Sequence, residues 1–379
     1  MKTKKMKILN FIFCLAFVGM IFVPFCMLDT TEVIDSTLEN RRMTMWPGWG
    51  FSRVLNEWYG HYVEDRVGFR EEAVQTYMIV VHSVFGEFSD DMHMYGKNGE
   101  VFPADRDYIR AYQNLATDEE LIDNFVTYLD RTDEYLEKQG IPFFFLAGLD
   151  KKTVYGEYMP DYIHVDESKE SIMEMLARKL DDAGVAYVIP VKEYQEMKKY
   201  KQLYNTKYDT AHWNAHGAFY ALQILNAMIM EENPEVPLLD TGDYNVTVEE
   251  VAMEFVSLPI TERVYVFTPS KYYQESTIQD YELSFKLEHM EGTSVQHFIN
   301  ENAQSDQTIL ILQDSFLQDN AHFFTTRYRE VYMISRQNYE RMQYYVETLE
   351  PDVVVFENAE RAFVDDLYAY VNLANVTYD

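Results

Sequence analysis

The chain has 379 residues, with 32 basic against 63 acidic side chains and a formal charge of −31. A surface this acidic excludes sequence-independent binding to a phosphate backbone, which needs a basic face. Both cysteines, Cys14 and Cys26, fall in the first 28 residues, so the rest of the chain has neither a disulfide nor a thiol nucleophile.

Lys2, Lys4, Lys5 and Lys7 precede an apolar run from Ile8 to Leu28, broken only by Asn10 and Pro24. At ~1.5 Å per residue the run makes a helix of roughly 30 Å, enough to cross a bilayer core. The lysines belong on the cytoplasmic side and the remainder outside. No small-x-small cleavage site follows, so residues 1–28 read as a retained signal anchor with the following domain extracytoplasmic. Residues 29–379 hold 28 basic and 63 acidic groups, a charge of −35. That length supports one large core or two modest ones.

Residues 29–91 read as a linker and amphipathic helices. The turn-rich "MWPGWG" (45–50) is followed by "FSRVLNEWYGHYVEDRVGFREEAVQTYMIVVHSVFG", whose helical spacing ends at Gly86. Residues 92–379 read as the catalytic domain. "MHMYGKNGEVFPA" (92–104) has the pattern of a β-hairpin turning at Lys97-Asn98-Gly99. A helix over about 118–139 starts at Thr117 or Asp118 and stops at Gly140.

Helices then alternate with apolar strands. "IPFFFLA" (141–147) is a buried strand; a helix around 167–183 ends at Gly184; "VAYVI" (185–189) is the next strand. "YDTAHWNAHGAF" (208–219) opens a helix running to about Glu231. Residues 240–290 read as a β-rich insertion, with "RVYVFTP" and "DYELSFKLEH" as its strands. "TILILQ" (308–313), "EVYMIS" (330–335) and "DVVVFE" (352–357) complete the set. This alternation predicts an α/β fold, a parallel sheet flanked by helices.

In open sheets of this kind chemistry gathers at the carboxyl ends of the strands. Those positions are Gly148 to Lys152, Asp314-Ser315, Arg336, and Glu357-Asn358. "TILILQDSF" sets Ser315 on a strand-to-helix turn, beside the free N–H groups of the helix expected to follow. A serine hydroxyl needs a base to act as a nucleophile, and Asp209-Thr210-Ala211-His212 offers one with its orienting acid. Asp-Ser after a strand also suits a helix cap, and Asp209 suits one as well. His212 and His216 stand at i, i+4, but Trp213 occupies the place of the glutamate that a zinc helix of this type requires, and no third ligand is close. A metal site is therefore not expected.

The motifs together resemble the SGNH-hydrolase-like O-acetyltransferases related to the alginate O-acetylation proteins, including the DHHW-type proteins. The resemblance runs in order through most of residues 53–365. "YVEDRVGFREE" is similar to the family's D-R-x-x-x-R segment (Asp65, Arg66, Arg70), and "MYGKNGEVFPA" to its G-K-D-G-W-L-F hairpin, with Glu100 in place of the tryptophan. "DKKTVYGEYMP" resembles its K-x-x-x-Y-x-x-x-x-P segment through Lys151, Tyr155 and Pro160; "AGLD" (147–150) replaces its proline-containing turn. "YDTAHWNAHGAF" resembles its D-H-H-W and D-T-H-W motif, "ILQDSF" its nucleophile block, and "PDVVVFENAER" its P-D-V-V-V-x-x-x-x-E-R strand.

The resemblance implies Ser315 as nucleophile, His212 as base and Asp209 as acid. The alginate branch spaces its acid two residues before the histidine, where this chain has Thr210; Asp209 has the three-residue spacing of the wider superfamily. Trp213, Asn214, Lys151 and Arg336 are supporting or substrate-binding candidates. The implied activity is transfer of an acetyl group from a multi-spanning membrane acyltransferase to an exopolysaccharide or cell-wall glycan, with no cofactor. A carbohydrate acetylesterase and a non-catalytic glycan-binding or scaffold component of a polysaccharide export system are the alternative expectations.

Overall fold

The computed structural model describes residues 2–29, 35–36, 41–50, 52–89, 91–253, 258, 260–270, 278–280, 295–364 and 373–378. The chain divides into two units, residues 1–90 with 253–260, and residues 91–252 with 261–379.

The first unit begins with α1 (Lys2–Cys26), in which Met6–Cys26 has a mean hydropathy of 2.5 and no buried residue. By length and composition this segment can cross a bilayer. Pro24 sits in its last turn, and the Pro24 carbonyl accepts N–H groups from Met27 (3.2 Å) and Gly68 (3.0 Å). β1 (Asp35–Ser36) and β2 (Arg41–Arg42) form a short antiparallel pair. The long amphipathic stretch becomes two helices, α2 (Arg53–Arg66) and α3 (Arg70–Phe85). Ser52 caps the first, and Phe69, at φ 60°, breaks the chain before the second. A Cβ on Gly68 would stand 2.6 Å from the Met27 carbonyl oxygen, so a glycine is needed at that break.

In the second unit, β3 (His93–Tyr95) and β4 (Val101–Pro103) pair across the Lys97–Gly99 turn, where Asn98 and Gly99 have φ of 56° and 78°. There follow α4 (Arg106–Tyr112), α5 (Glu119–Glu137, capped by Asp118), β5 (Phe143–Gly148), α6 (Lys151–Val154), α7 (Ile172–Ala183) and β6 (Tyr187–Val188). Next come α8 (Val191–Met197), α9 (Ala215–Glu232) and the hairpin of β7 (Tyr244–Ala252) with β8 (Thr261–Pro269). β9 (Ile278–Asp280), β10 (Val295–Asn300), β11 (Thr308–Gln313), α10 (Ala321–Thr325), β12 (Glu330–Ser335), α11 (Met342–Leu349) and β13 (Val353–Ala359) complete the order.

The central sheet has the order β6-β5-β13-β11-β12-β10-β9. The first five strands run parallel, while β10 is antiparallel to both β12 and β9. Every residue of β5 and β13 is buried. Because side chains alternate between faces, both faces of the sheet centre are covered. On one face the Phe125 ring of α5 meets Phe145 of β5 and Phe356 of β13 edge-on, at 5.5 and 5.6 Å.

Two sequence expectations shift, and one lies almost wholly outside the described residues. α7 starts at Ile172, not near 167, because Ser171 and Glu174 close a reciprocal capping box there. β6 keeps only two residues of the expected five, since Ile189 turns directly into Pro190 and α8. Of "DYELSFKLEH" only Asp280 falls among the described residues.

Desolvation disfavours the charged form of two histidines, the buried His216 and the half-buried His322. His216, at the start of α9, packs on Tyr265 (4.4 Å) and Phe267 (5.3 Å) of β8; His322 packs on Phe323 (4.1 Å). Burial lowers both to about 4, with Lys201 adding to the effect at His216. An unfolded histidine takes its proton near pH ~6.5. Between those values the unfolded chain binds more protons, so their stabilisation is whole above about pH 6.5 and is lost as pH falls towards 4. His216→Phe, which keeps the ring contacts, is expected to flatten the acid limb of urea stability by on the order of 2 kcal/mol between pH 7 and pH 4. An acid limb identical to the parent's would refute the buried neutral imidazole.

Candidate active site

The segments that follow β5 and β11 meet the loop 208–214 that leads into α9: Lys151 N–H donates to the Ala211 carbonyl (3.1 Å), and Trp213 Nε1 to the Phe316 carbonyl (2.9 Å). Asp209 organises that loop. Its Oδ1 accepts the N–H groups of Ala211 and His212, both at 3.0 Å, and its Oδ2 accepts from His212 Nδ1 at 2.8 Å. Burial alone would raise the Asp209 pKa. The His212 hydrogen bond, the imidazole charge and the two backbone N–H groups outweigh it and hold the carboxyl below its usual range. An ionised Asp209 fixes the proton on His212 Nδ1. That leaves Nε2 as an acceptor, and it lies 2.9 Å from Ser315 Oγ. Ser315 itself is exposed. The carboxylate three residues before the histidine thus makes the contact, and Thr210 does not take part in it.

The turn that bears Ser315 is held from below. Asp314 Oδ1 accepts Phe316 N–H (3.0 Å) and its Oδ2 accepts Ala359 N–H (2.6 Å). Asp314 N–H in turn donates to Glu357 Oε2 (2.8 Å). Burial, and then the Asp314 charge, push Glu357 well above the ordinary carboxylate range. Gly148 leaves the space for this packing: a Cβ there would lie 2.7 Å from the Phe316 ring and 2.9 Å from Glu357 Oε1.

Residues 315–319 form turns, and α10 begins only at Ala321. The helix expected directly after Ser315 is therefore absent. Asp314 accepts Phe316 N–H as a helix cap would, but the chain continues in turns as far as Asp319.

The supporting candidates have distinct surroundings. Trp213 is buried, and its Nε1 donates to the Phe316 carbonyl (2.9 Å). Asn214 caps α9 by accepting from His216 and Gly217 N–H, and donates to the Gln202 carbonyl. Lys151 is fully buried; its Nζ bonds the carbonyls of Val101, Asn205 and Thr206 and lies 2.7 Å from Glu100 Oε2. Those three side chains are engaged by the protein itself. Arg336 lines the same cavity as Ser315, with Nε 3.2 Å from Asp314 Oδ2.

The hairpin of β7 and β8 also reaches this loop. Glu262 of β8 accepts N–H groups from Thr206 (2.7 Å), Lys207 (2.6 Å) and Tyr208 (2.9 Å), immediately before Asp209.

The cavity at Ser315 measures about 210 Å³ and includes Gln313, Gln318, Arg336 and Arg361. A larger cleft of about 1160 Å³ runs beside β6 and contains none of Asp209, His212 or Ser315. The two stand back to back at the end of β13, where Glu360 lines the cleft while Ala359 and Arg361 line the Ser315 cavity.

No protein-family model and no curated protein sequence matches the chain. Solved structures do. PatB1 of Bacillus cereus is similar at a TM-score of 0.56 and 14% identity, covering 74% of this chain and 100% of that one. The chain has the PatB1 fold. A second PatB1 structure, with a sulfonyl adduct, matches at a TM-score of 0.53 and 14% identity over 69% of this chain and 94% of that one. A DHHW family protein from Eubacterium siraeum matches at 0.45 and 17% identity (68% and 90% covered). The O-acetyltransferase domain of Pseudomonas putida AlgJ matches at 0.44 and 15% identity (75% and 98% covered).

Within the PatB1 fold, sequence reasoning passed over a buried cluster of charges behind Ser315. Asp150 is fully buried between Lys152 Nζ (2.8 Å) and Arg361 Nη2 (2.7 Å). Lys152 Nζ also bonds Glu360 Oε1 (2.6 Å). The available signal was position: Asp150 and Lys152 follow β5, and Glu360 and Arg361 follow β13, its neighbour in the sheet.

Proposed function

We propose that the protein is a membrane-anchored, extracytoplasmic O-acetyltransferase that carries an acetyl group on Ser315. One observation carries the reading: the hydrogen-bonded series from Asp209 through His212 to an exposed Ser315 at a strand's carboxyl end. His212 Nε2 takes the Ser315 proton as Oγ bonds to the acyl carbon, and Asp209 stabilises the imidazolium. The donor alcohol leaves with that proton. A glycan hydroxyl then repeats the sequence in reverse, giving the acetylated glycan and free Ser315. The acetyl chemistry and the polysaccharide acceptor rest on the sequence resemblance described above.

The exposure of Ser315 also favours a second reading, in which water is the acceptor and the enzyme is an acetylesterase. Both readings share the acyl-enzyme. Brief reaction of the purified protein with p-nitrophenyl acetate, followed by peptide mass spectrometry, should find one added acetyl group on the peptide containing Ser315. An unmodified Ser315 alongside steady ester turnover would remove both.

The reading also places the acetyl donor in the membrane, supplied by a multi-spanning acyltransferase. The −35 charge of residues 29–379 would repel an anionic carrier such as a CoA thioester. α1 would confine Ser315 near such a donor and raise its effective concentration there. Secreted free as residues 23–379, which keeps the Pro24 carbonyl that binds Gly68 N–H, the chain should cleave p-nitrophenyl acetate yet leave cellular polysaccharide unacetylated. Full polysaccharide acetylation by that fragment would rule out a tethered relay.

A further inference from the structure

Acyl transfer through Ser315 puts a negative charge on the former carbonyl oxygen, and that charge needs a receiver. Ser315 is followed by turns, so no helix N-terminus supplies one. Phe316 N–H is occupied by Asp314 Oδ1. Ser315 N–H has no protein acceptor among the described residues and is one available donor. A second must come from the cavity wall.

Two arginines line that wall, and their settings differ. Arg336 has a side chain 3% exposed, and its Nε is drawn to Asp314 beneath the turn. Arg361 has a side chain 27% exposed and is anchored at one end only. Its Nη2 lies 2.7 Å from Asp150 Oδ1, and Nε and Nη2 are both buried, which leaves Nη1 as the end available to the cavity. Cζ stands 5.2 Å from the ring centre of Phe316, the residue after the nucleophile, and the His212 ring meets the same phenyl ring at 4.7 Å. The guanidinium and the hydroxyl therefore line one small cavity, and the imidazole that bonds the hydroxyl packs on the same phenyl ring as the guanidinium.

Its seat is rigid. Asp150 has no exposed surface, receives Lys152 Nζ, and donates its own N–H to Glu360 Oε2 at 3.0 Å. Burial alone would raise the Asp150 carboxyl, but Arg361 and Lys152 hold it below the usual range, so the anchor is an anion facing a permanent cation.

The geometry points to Arg361 as a further catalytic residue, with Nη1 and the Ser315 N–H receiving the oxyanion of the acyl-transfer intermediate. This rests on the Ser315 reading. As Oγ bonds to the acyl carbon and its proton passes to His212 Nε2, the carbonyl π pair moves onto oxygen, which accepts hydrogen bonds from both donors. When that pair returns, the bond to the donor alcohol oxygen breaks, and this oxygen takes the proton from His212.

The full-length protein in detergent, with p-nitrophenyl acetate, provides the test, because this small neutral ester carries no anionic acceptor for an arginine to grip. R361Q should lose roughly 10²- to 10³-fold in kcat with little change in KM. Millimolar methylguanidinium should restore part of it. R361K keeps a cation for Asp150 but has no second arm for the cavity, so it should fold and still lose kcat. Wild-type kcat in either variant overturns the assignment. So does a loss that methylguanidinium leaves untouched while the pH–rate profile shifts, because that outcome means Asp209 and His212 have moved. Should R361Q fail to fold, R361K decides alone. Ser315→Ala separates the two levels: if it is inactive while R361Q is not impaired, only the arginine's role falls. If Ser315→Ala stays active, the acyl-enzyme reading falls first.

Discussion

Ser315→Ala is expected to remove acetyl-ester turnover by roughly 10⁴- to 10⁶-fold, the scale of losing a nucleophile from a unit whose members act together. The fold should hardly notice. Ser315 is exposed, and among the described residues its side chain makes one hydrogen bond, to His212 Nε2 at 2.9 Å. Exposed substitutions of that kind stay within about 0.5 kcal/mol, so the thermal midpoint should move by no more than about 2 °C. The turn is held by Asp314, whose bonds to Phe316 and Ala359 N–H survive the change. Turnover measured with p-nitrophenyl acetate beside a melting curve decides the matter. Wild-type turnover in a folded mutant would transfer the nucleophile's role elsewhere.

Asp209→Asn should be nearly as damaging, at about 10²- to 10⁴-fold in kcat. Asparagine can keep the Oδ1 bonds to Ala211 and His212 N–H, which are 3.0 Å each, so the loop should survive. The amide cannot match the carboxylate that accepts from Nδ1 at 2.8 Å. The imidazole is then free to place its proton on Nε2, where it blocks removal of the Ser315 proton, and the imidazolium loses its counter-charge. Thr210→Val should leave kcat within about twofold, because the Nδ1 partner is Asp209. If Thr210→Val were the crippling change and Asp209→Asn the silent one, the acid would have to be reassigned.

Much of the sheet was legible in the sequence because its strands are short, apolar and punctuated. β11 and β12 coincide with "TILILQ" and "EVYMIS", residues whose burial leaves no other pattern open. The boundaries that moved depend on side chains bonding to backbone. Ser171 with Glu174 fixed one helix start, and after Ser315 the chain runs in turns until α10 at Ala321 despite the cap-like bond from Phe316 N–H to Asp314. Local sequence offered both choices at each place, and tertiary packing made the selection. The pairing of Asp209 with His212 is a matter of three residues and could be read directly. Its alignment with Ser315, 103 positions away, depends on how the loop and the sheet end meet. The role of Lys151 was hidden for a related reason. A lysine after a strand suggests an exposed cation, yet three carbonyls and Glu100 converge on it in the interior. No linear pattern announces such a convergence.

The carboxylate of Glu262 gives the hairpin a part in building the loop that carries Asp209 and His212. The segment before Asp209 has no helix or strand of its own to hold it, and its three consecutive N–H groups close on one side chain some fifty residues downstream. The imidazole's address is therefore written on β8 as much as on its own stretch of chain. Grafting residues 208–214 into another sheet of this architecture would move the reactive group without its coordinates; the graft would have to bring the β7–β8 arm along. The same connection makes the arm a tiller: a load that tilts β8 pulls directly on the three peptide groups next to Asp209, and through them on the gap between base and hydroxyl.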